Sequence, residues 1–359
     1  MQFALATCLS TVCRELDVDV IPDWNIGHSE YWGKLGHYKI AAAACGLVSN
    51  AKLKKLLANN VEAIAFSDEA IQAGQLKKID ANLFVPLADV PDMVWRTTRK
   101  KDEANHFADM DEKGKGEFKN KTLLKLCEDP ANVDINVWNR FYDELGVGFK
   151  RGALPFRVWQ LYNQMVASVA AGKVEEFICA AGVLAHYVGD ACQPLHVSHL
   201  HHGRNDDEKD VHSIYETNML DRRAADVIAG VNQNLRNSVA QPDVVGGHAA
   251  AVSVVELMRG VISKLPPLKI IEAHNAASGR ERITHMWDAL GKKTTSCMAD
   301  GCMRLASLWA SAWKEGKGSK IDNAALGPVD RKKLMKLYND KSFVEAFRLK
   351  EPQFAAVLV

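Results

Sequence analysis

A histidine followed four residues later by a carboxylate puts both side chains on one face of a helix, close enough to share a metal ion. The chain has three such pairs: His186 with Asp190, His202 with Asp206, and His212 with Glu216. With 12 histidines and 44 acidic residues among 359, chance supplies about 1.5, so context must separate them. His186 and Asp190 lie in an apolar helical run, FICAAGVLAHYVGD, which Pro194 stops just before His196. An imidazole and a carboxylate buried on that face cost several kcal/mol unless they are paired with each other or bound to metal. His212 and Glu216 open the next helical pattern after a polar loop. His202 and Asp206 fall in the hydrophilic stretch HLHHGRNDDEKD and are assigned to a solvated loop rather than to a metal.

The elements that must position these groups are helical. GHYKIAAAACGLV, VWNRFYDELGVGF, LPFRVWQLYNQMVASVAA, KVEEFICAAGVLAHYVGDA, HSIYETNMLDRRAADVIAGV and CMADGCMRLASLWASAWK carry apolar residues near a 3.6 period. Alternating strand-like stretches are scarce. Pro155 near the start of one helix and Gly172 just after it are ordinary helix punctuation. Polar segments lie at about 97–120, 199–210 and 315–330, and a terminal helix follows in RKKLMKLYNDKSFVEAF. The expectation is an all-α fold: a single mostly helical domain over 32–320, an N-terminal extension at 1–31 and a C-terminal helical appendage at 321–359.

Composition narrows the partners. Lys plus Arg is 45 and Asp plus Glu is 44, a net charge of +1, so no global basic field tracks a long duplex. A polyanion would have to be gripped locally, by metal or a few side chains. No run of 18 apolar residues exists, so no spanning helix is expected. The opening MQFALATCLSTVC has no Lys or Arg and no small-residue cleavage pattern after it, and is read as part of the mature chain. Eight cysteines are too sparse for a disulfide scaffold. Cys297 and Cys302 could pair or share a helix, and spacing does not decide.

HYVGDACQPLH followed by HSIYE resembles the signature of the zinc-dependent phospholipase C and single-strand-specific zinc nuclease superfamily. Three further segments agree in order and rough spacing. Trp32-Gly33-Lys34-Leu35-Gly36-His37 resembles a WGxxGH opening. Asn105-His106-Phe107-Ala108-Asp109 resembles an HFxD segment, with Asp92 of VPDMVW upstream. Leu154-Pro155-Phe156-Arg157 resembles an LPW segment with Phe for Trp. The matches span about residues 32–220.

Carried over by position, the resemblance implies two to three zinc ions in a helical cleft. Asp92, His106 and His186 would hold one, with Asp190 bridging to a second. His196, His212 and Glu216 would hold another, and His37 with Trp32 would join Asp190 on the last. Trp32 is internal here, whereas the family uses the free amine of a terminal Trp, and His28 is a candidate substitute. The nuclease branch places an Arg three residues after the upstream Asp; Trp95 has that offset here and Arg96 follows it. Asp92, Asp190 and Arg96 are the implied catalytic groups.

The implied reaction is metal-assisted phosphodiester hydrolysis, with water activated near neutral pH and charge on phosphorus met by the ions. The Trp32-to-His37 step favours the nuclease branch, with single-stranded nucleic acid or 3'-nucleotides as substrate. The Tyr215-Glu216 ending favours the phospholipase C branch and a phospholipid headgroup. Phe107 could stack a nucleobase and Asp109 could accept from a base edge; Phe107 could equally line an acyl pocket or pack in the core. A third alternative is a non-catalytic helical protein with a structural zinc cluster. The resemblance implies a secreted or periplasmic protein, while the sequence itself leaves location open.

Overall fold

Apolar positions recurring every three to four residues, with few β-branched runs, turn most of the chain into helix. The computed structural model describes residues 34–78, 83–99, 102–147, 151–236, 238, 241–351 and 358. Among them the longer helices are α1 (Lys34–Leu47), α2 (Ala51–Ile64), α3 (Ile135–Leu145), α4 (Leu154–Ala170) and α5 (Val174–Ala191). The second half adds α6 (Ala224–Arg236), α7 (Gly247–Lys264), α8 (Pro267–Asn275), α9 (Gly279–Glu315) and α10 (Arg331–Asn339). No strand occurs among the described residues, so the fold is all-α. The expected extension at 1–31, His28 and Trp32 lie outside the described residues.

Local chemistry sets several of the helix ends. The Asn50 side chain accepts from Leu53 N at 3.0 Å and caps α2. Asp134 caps α3 by accepting from Asn136 N and Val137 N, and Gly146, at φ 76°, ends it in the left-handed region. Pro155 stands in the first turn of α4, where no N–H is needed.

α5 is the central helix of the described residues. Nearly all of its residues are buried, and it packs against α4, α1 and α9. A helix apolar on all sides belongs in the middle of a core. Trp309 and Trp313 of α9 are buried, with Trp309 Nε1 donating to the Ala181 carbonyl at 3.0 Å and Trp313 edge-on to Phe177. α9 starts at Gly279, well before the Cys297 end expected for it, because the Ile283, Met286 and Leu290 positions are also buried.

The stretch expected as one helix over 212–231 is broken. It runs as Val211–Ser213, a π turn at Ile214–Met219, Leu220–Arg222, and then α6. A second π turn covers Pro91–Trp95. Such wide turns, with i→i+5 bonding, are rare and frequently mark functional positions. Each of these carries a carboxylate of the site below.

The segment after α9 folds back onto the same body. Trp95 Nε1 donates to the Tyr338 carbonyl at 2.7 Å, Arg99 donates to the Asp340 and Val344 carbonyls, and Arg157 donates to the Glu345 carbonyl at 2.6 Å.

Candidate metal centre

Eight imidazoles and carboxylates from separate parts of the chain meet at the middle of the fold. His37 comes from α1, Asp92 from the first π turn, and His106 from a tight turn at Asp102–His106. His186 and Asp190 come from α5, His196 from the turn after Pro194, His212 from Val211–Ser213, and Glu216 from the second π turn. Three groups form: His37, Asp92 and His186; His106, His186 and Asp190, which shares His186 with the first; and His196, His212 and Glu216.

Backbone pairing holds the loops that carry these groups. Ala108 N donates to the His196 carbonyl at 2.9 Å and Met110 N to the Val197 carbonyl at 3.1 Å, tying the His106 turn to the His196 turn. Ala153 N donates to the Ala104 carbonyl at 2.7 Å, so the start of α4 fixes the same turn from behind. His37 depends on a glycine. A Cβ built on Gly189 would stand 2.6 Å from His37 Nδ1, so only the bare helix surface admits the imidazole, which stacks on His186 with centroids 3.9 Å apart.

Hydrogen bonds on the far side of each ring decide what the near side offers. A carbonyl can only accept, so each ring nitrogen facing one must carry the proton. His186 Nδ1 faces the Ala88 carbonyl at 2.9 Å, His196 Nδ1 the His106 carbonyl at 2.8 Å, and His212 Nδ1 the His201 carbonyl at 3.0 Å. His106 Nε2 faces Asp102 Oδ2 at 3.4 Å. In each neutral ring the opposite nitrogen is therefore a lone pair aimed inward, as in metal sites whose histidines donate their other N–H to a second partner.

These lone pairs face each other. His186 Nε2 and His106 Nδ1 are 3.0 Å apart, and His196 Nε2 and His212 Nε2 are 3.3 Å apart. Asp190 Oδ2 lies 3.1 Å from His106 Nδ1 and 3.3 Å from His186 Nε2, while Glu216 Oε2 lies 3.0 Å from His212 Nε2 and 3.3 Å from His196 Nε2. Acceptors crowded so closely repel unless a cation stands among them. Donors bound at about 2.0–2.1 Å around a tetrahedral zinc stand about 3.3 Å from one another, which is the spacing here. Both nitrogens of His37, Asp190 Oδ1 and Glu216 Oε1 are buried without hydrogen-bond partners. The donor set fits divalent metal.

The electrostatics follow from burial and crowding. Burial, helped by His186, pushes the His37 imidazole well below its ordinary value. Burial, then the Asp190 charge, pushes the Asp92 carboxyl well up. Burial also acts to raise Asp190 and Glu216, but the imidazoles around them win and hold both down. For His196 burial is outweighed by Asp190 and Glu216, and its value rises.

Arg96, not Trp95, reaches the site. Its Nε lies 3.2 Å from Asp92 Oδ1, an ion pair without hydrogen-bond geometry. The π turn, in which Arg96 N bonds the Pro91 carbonyl, brings the fourth residue rather than the third over Asp92. Trp95 is buried instead, its Nε1 donating to the Tyr338 carbonyl. Phe107 is half-buried and packs its ring against His201 at 5.9 Å, and Asp109 is buried with Oδ1 3.7 Å from His201 Nδ1. Asp206, assigned to solvent, is exposed.

Two supporting residues, Asp102 and Gln193, went unnoticed in the sequence. Asp102 precedes His106 by four, the reverse order of the pairs singled out, and Asn105 donates to it at 3.0 Å. Gln193 Nε2 donates to Glu216 Oε2 at 3.1 Å. Nearby, Ser198 donates to Asp111 Oδ2 at 2.6 Å, and the same carboxylate holds His199 Nδ1 at 2.8 Å. Here the carboxylate stands between hydroxyl and imidazole, whereas a nucleophilic serine needs the imidazole against its hydroxyl.

No protein-family model and no solved structure matches the chain. A protein of Bradyrhizobium tropiciagri named a probable serine protease is 34% identical over 410 aligned positions, covering 97% of this chain. The chain spans about half, 52%, of that relative's length. This match overturns the expectation of a zinc nuclease or phospholipase C, since a relative aligned along nearly the whole chain is named for proteolysis. The phosphodiester substrates expected above, single-stranded nucleic acid, 3'-nucleotide and phospholipid headgroup, fall with it. The hydrolase class is common to the expectation and to the relative's name. No described helix is long and apolar enough to cross a membrane.

Proposed function

We propose that this chain is a metal-dependent hydrolase whose centre holds two or three divalent ions, with polypeptide as its substrate class. One observation carries the reading: two pairs of imidazole lone pairs face each other at 3.0 and 3.3 Å, flanked by buried carboxylates. The nitrogen and carboxylate donor set favours zinc. The motifs resembling the zinc superfamily support the metal centre but not its substrate; the relative's protease name supports a peptide bond.

Bound divalent ions supply Lewis acidity, making water nucleophilic near neutral pH and polarising the scissile group. The protein's part is to hold, orient and admit. Asp190, in the floor, keeps the four imidazoles around it in one arrangement. The Asp92 and Arg96 side chains are 10% and 20% exposed while the other ligand side chains are 6% or less, so this edge is where substrate arrives. The Arg96 guanidinium there meets negative charge developing on the carbonyl oxygen. The Asp109 carboxylate, its side chain 11% exposed beside His201, is a candidate acceptor for a substrate amide.

The test is hydrolysis of a quenched peptide library by the zinc-loaded full chain, with metal content measured in parallel. Cleavage should stop on chelation, return with zinc, survive a fluorophosphonate, and vanish together with bound metal in His186→Ala. Cleavage that ignores chelation but is lost to the fluorophosphonate would move the chemistry to a serine and overturn the reading.

A further inference from the structure

Behind His106 lies a fully buried chain of charge. Asp102 and Arg157 are 1% and 0% exposed. Asp102 Oδ2 takes His106 Nε2 at 3.4 Å and the Tyr187 hydroxyl at 3.4 Å, and its Oδ1 takes Asn105 at 3.0 Å with Arg157 Nη2 at 3.7 Å. Arg157 is fixed in turn. Its Nη1 donates to Gln160 Oε1 and to the Glu345 carbonyl, both at 2.6 Å, and its guanidinium lies over the Trp95 and Tyr187 rings at 5.0 and 5.1 Å.

We infer that Arg157 is a positioning residue for the metal centre, acting through Asp102 to fix which nitrogen of His106 is offered to metal. The inference rests on the metal reading above. With Arg157 in place, Asp102 is aimed at His106 and accepts from its Nε2–H, and the His106 Nδ1 faces His186 and Asp190. Without Arg157, Asp102 loses its tie through the guanidinium to Gln160 and the Glu345 carbonyl. The carboxylate then no longer fixes the His106 ring, and Nδ1 is no longer held toward the position a metal ion needs. The Glu345 carbonyl, by orienting Arg157, makes the segment after α10 part of the support of this ligand.

The experiment titrates the full chain with Co2+ alone, following its visible spectrum and binding by calorimetry. Asp102→Asn and Arg157→Met should each weaken one class of ions by about ten- to a hundredfold and change that class's spectrum. The ions held by His196, His212 and Glu216 should be unaffected, and Arg157→Lys should recover most of the affinity. If wild type takes up Co2+ and both variants match its affinity and spectrum, or differ only in melting temperature, the positioning role is overturned while the metal reading stands. If wild type takes up no Co2+, the metal reading falls and this inference with it. Should Arg157→Met fail to fold, Asp102→Asn, which keeps the side chain's shape, decides alone.

Discussion

Gly189→Ala sets helix propensity against the geometry of the centre. Gly189 lies inside α5, and replacing an interior glycine by alanine favours a helix by about 1 kcal/mol. On propensity alone the variant would melt roughly 2 °C higher. The added methyl, however, would stand 2.6 Å from His37 Nδ1 and 3.2 Å from Cε1. Carbon contacts relax at about 3.5 Å, so the ring must retreat by about 0.9 Å. It has little room to go: His37 is fully buried, and its ring already stacks on His186 at 3.9 Å. Overpacking of this kind costs about 1–3 kcal/mol, which exceeds the propensity gain. The displaced imidazole also leaves the group it forms with Asp92 and His186. The metal-free variant should therefore unfold at the same temperature as wild type or lower, by calorimetry. Titration with zinc should show one class of ions weakened at least about tenfold, on the scale of a disturbed ligand orientation. A variant that melts higher and binds zinc as tightly as wild type would refute the claim that Gly189 exists to seat His37.

Two further outcomes concern groups away from the centre. Burial pushes the Cys45, Cys297 and Cys302 thiols up to about 12 and Cys127 to about 11. A raised thiol stays protonated and unreactive, so iodoacetamide at pH 8 should label none of the six described cysteines in the native chain, by peptide mapping. Native-state labelling at any of them would contradict the burial. The Arg204 guanidinium holds the Glu208 carboxyl down from 4.5 to about 2. A depressed acid stabilises the fold above its unfolded value and loses that contribution as pH falls through its folded one. The melting-temperature gap between wild type and Glu208→Gln should be full at neutral pH and close between about pH 4.5 and 2. A gap constant over that window would assign it to packing.

What could be read from the sequence was what repeats on a helical period. The apolar run around His186 and Asp190 made α5 visible as a buried helix, and from such runs the all-α class follows. The run also marked its two polar residues as unusual. The Pro194 stop and the polar loop before His212 were equally local. The supports were not legible, because they are three-dimensional. Asp102 gains its meaning from Arg157, 55 positions later, and Gly189 from a ring on another helix. The phase of Arg96 depends on a turn of unusual width that no apolar period announces. The substrate was misjudged for a different reason. Ligand types constrain the ion they hold, whereas the molecule that reaches it is chosen by the residues around the opening.

The two wide turns also make the centre vulnerable to the smallest of genetic lesions. A π turn is an α-helix with one residue too many, so losing a codon within Pro91–Trp95 or Ile214–Met219 returns the segment to ordinary winding and leaves the flanking helices in register. Such a descendant would fold, pack and melt much like its parent while Asp92 or Glu216 swung out of place. Well-folded offshoots of this lineage that have lost the centre should therefore be recognisable by single-residue gaps at these two positions rather than by altered ligand residues.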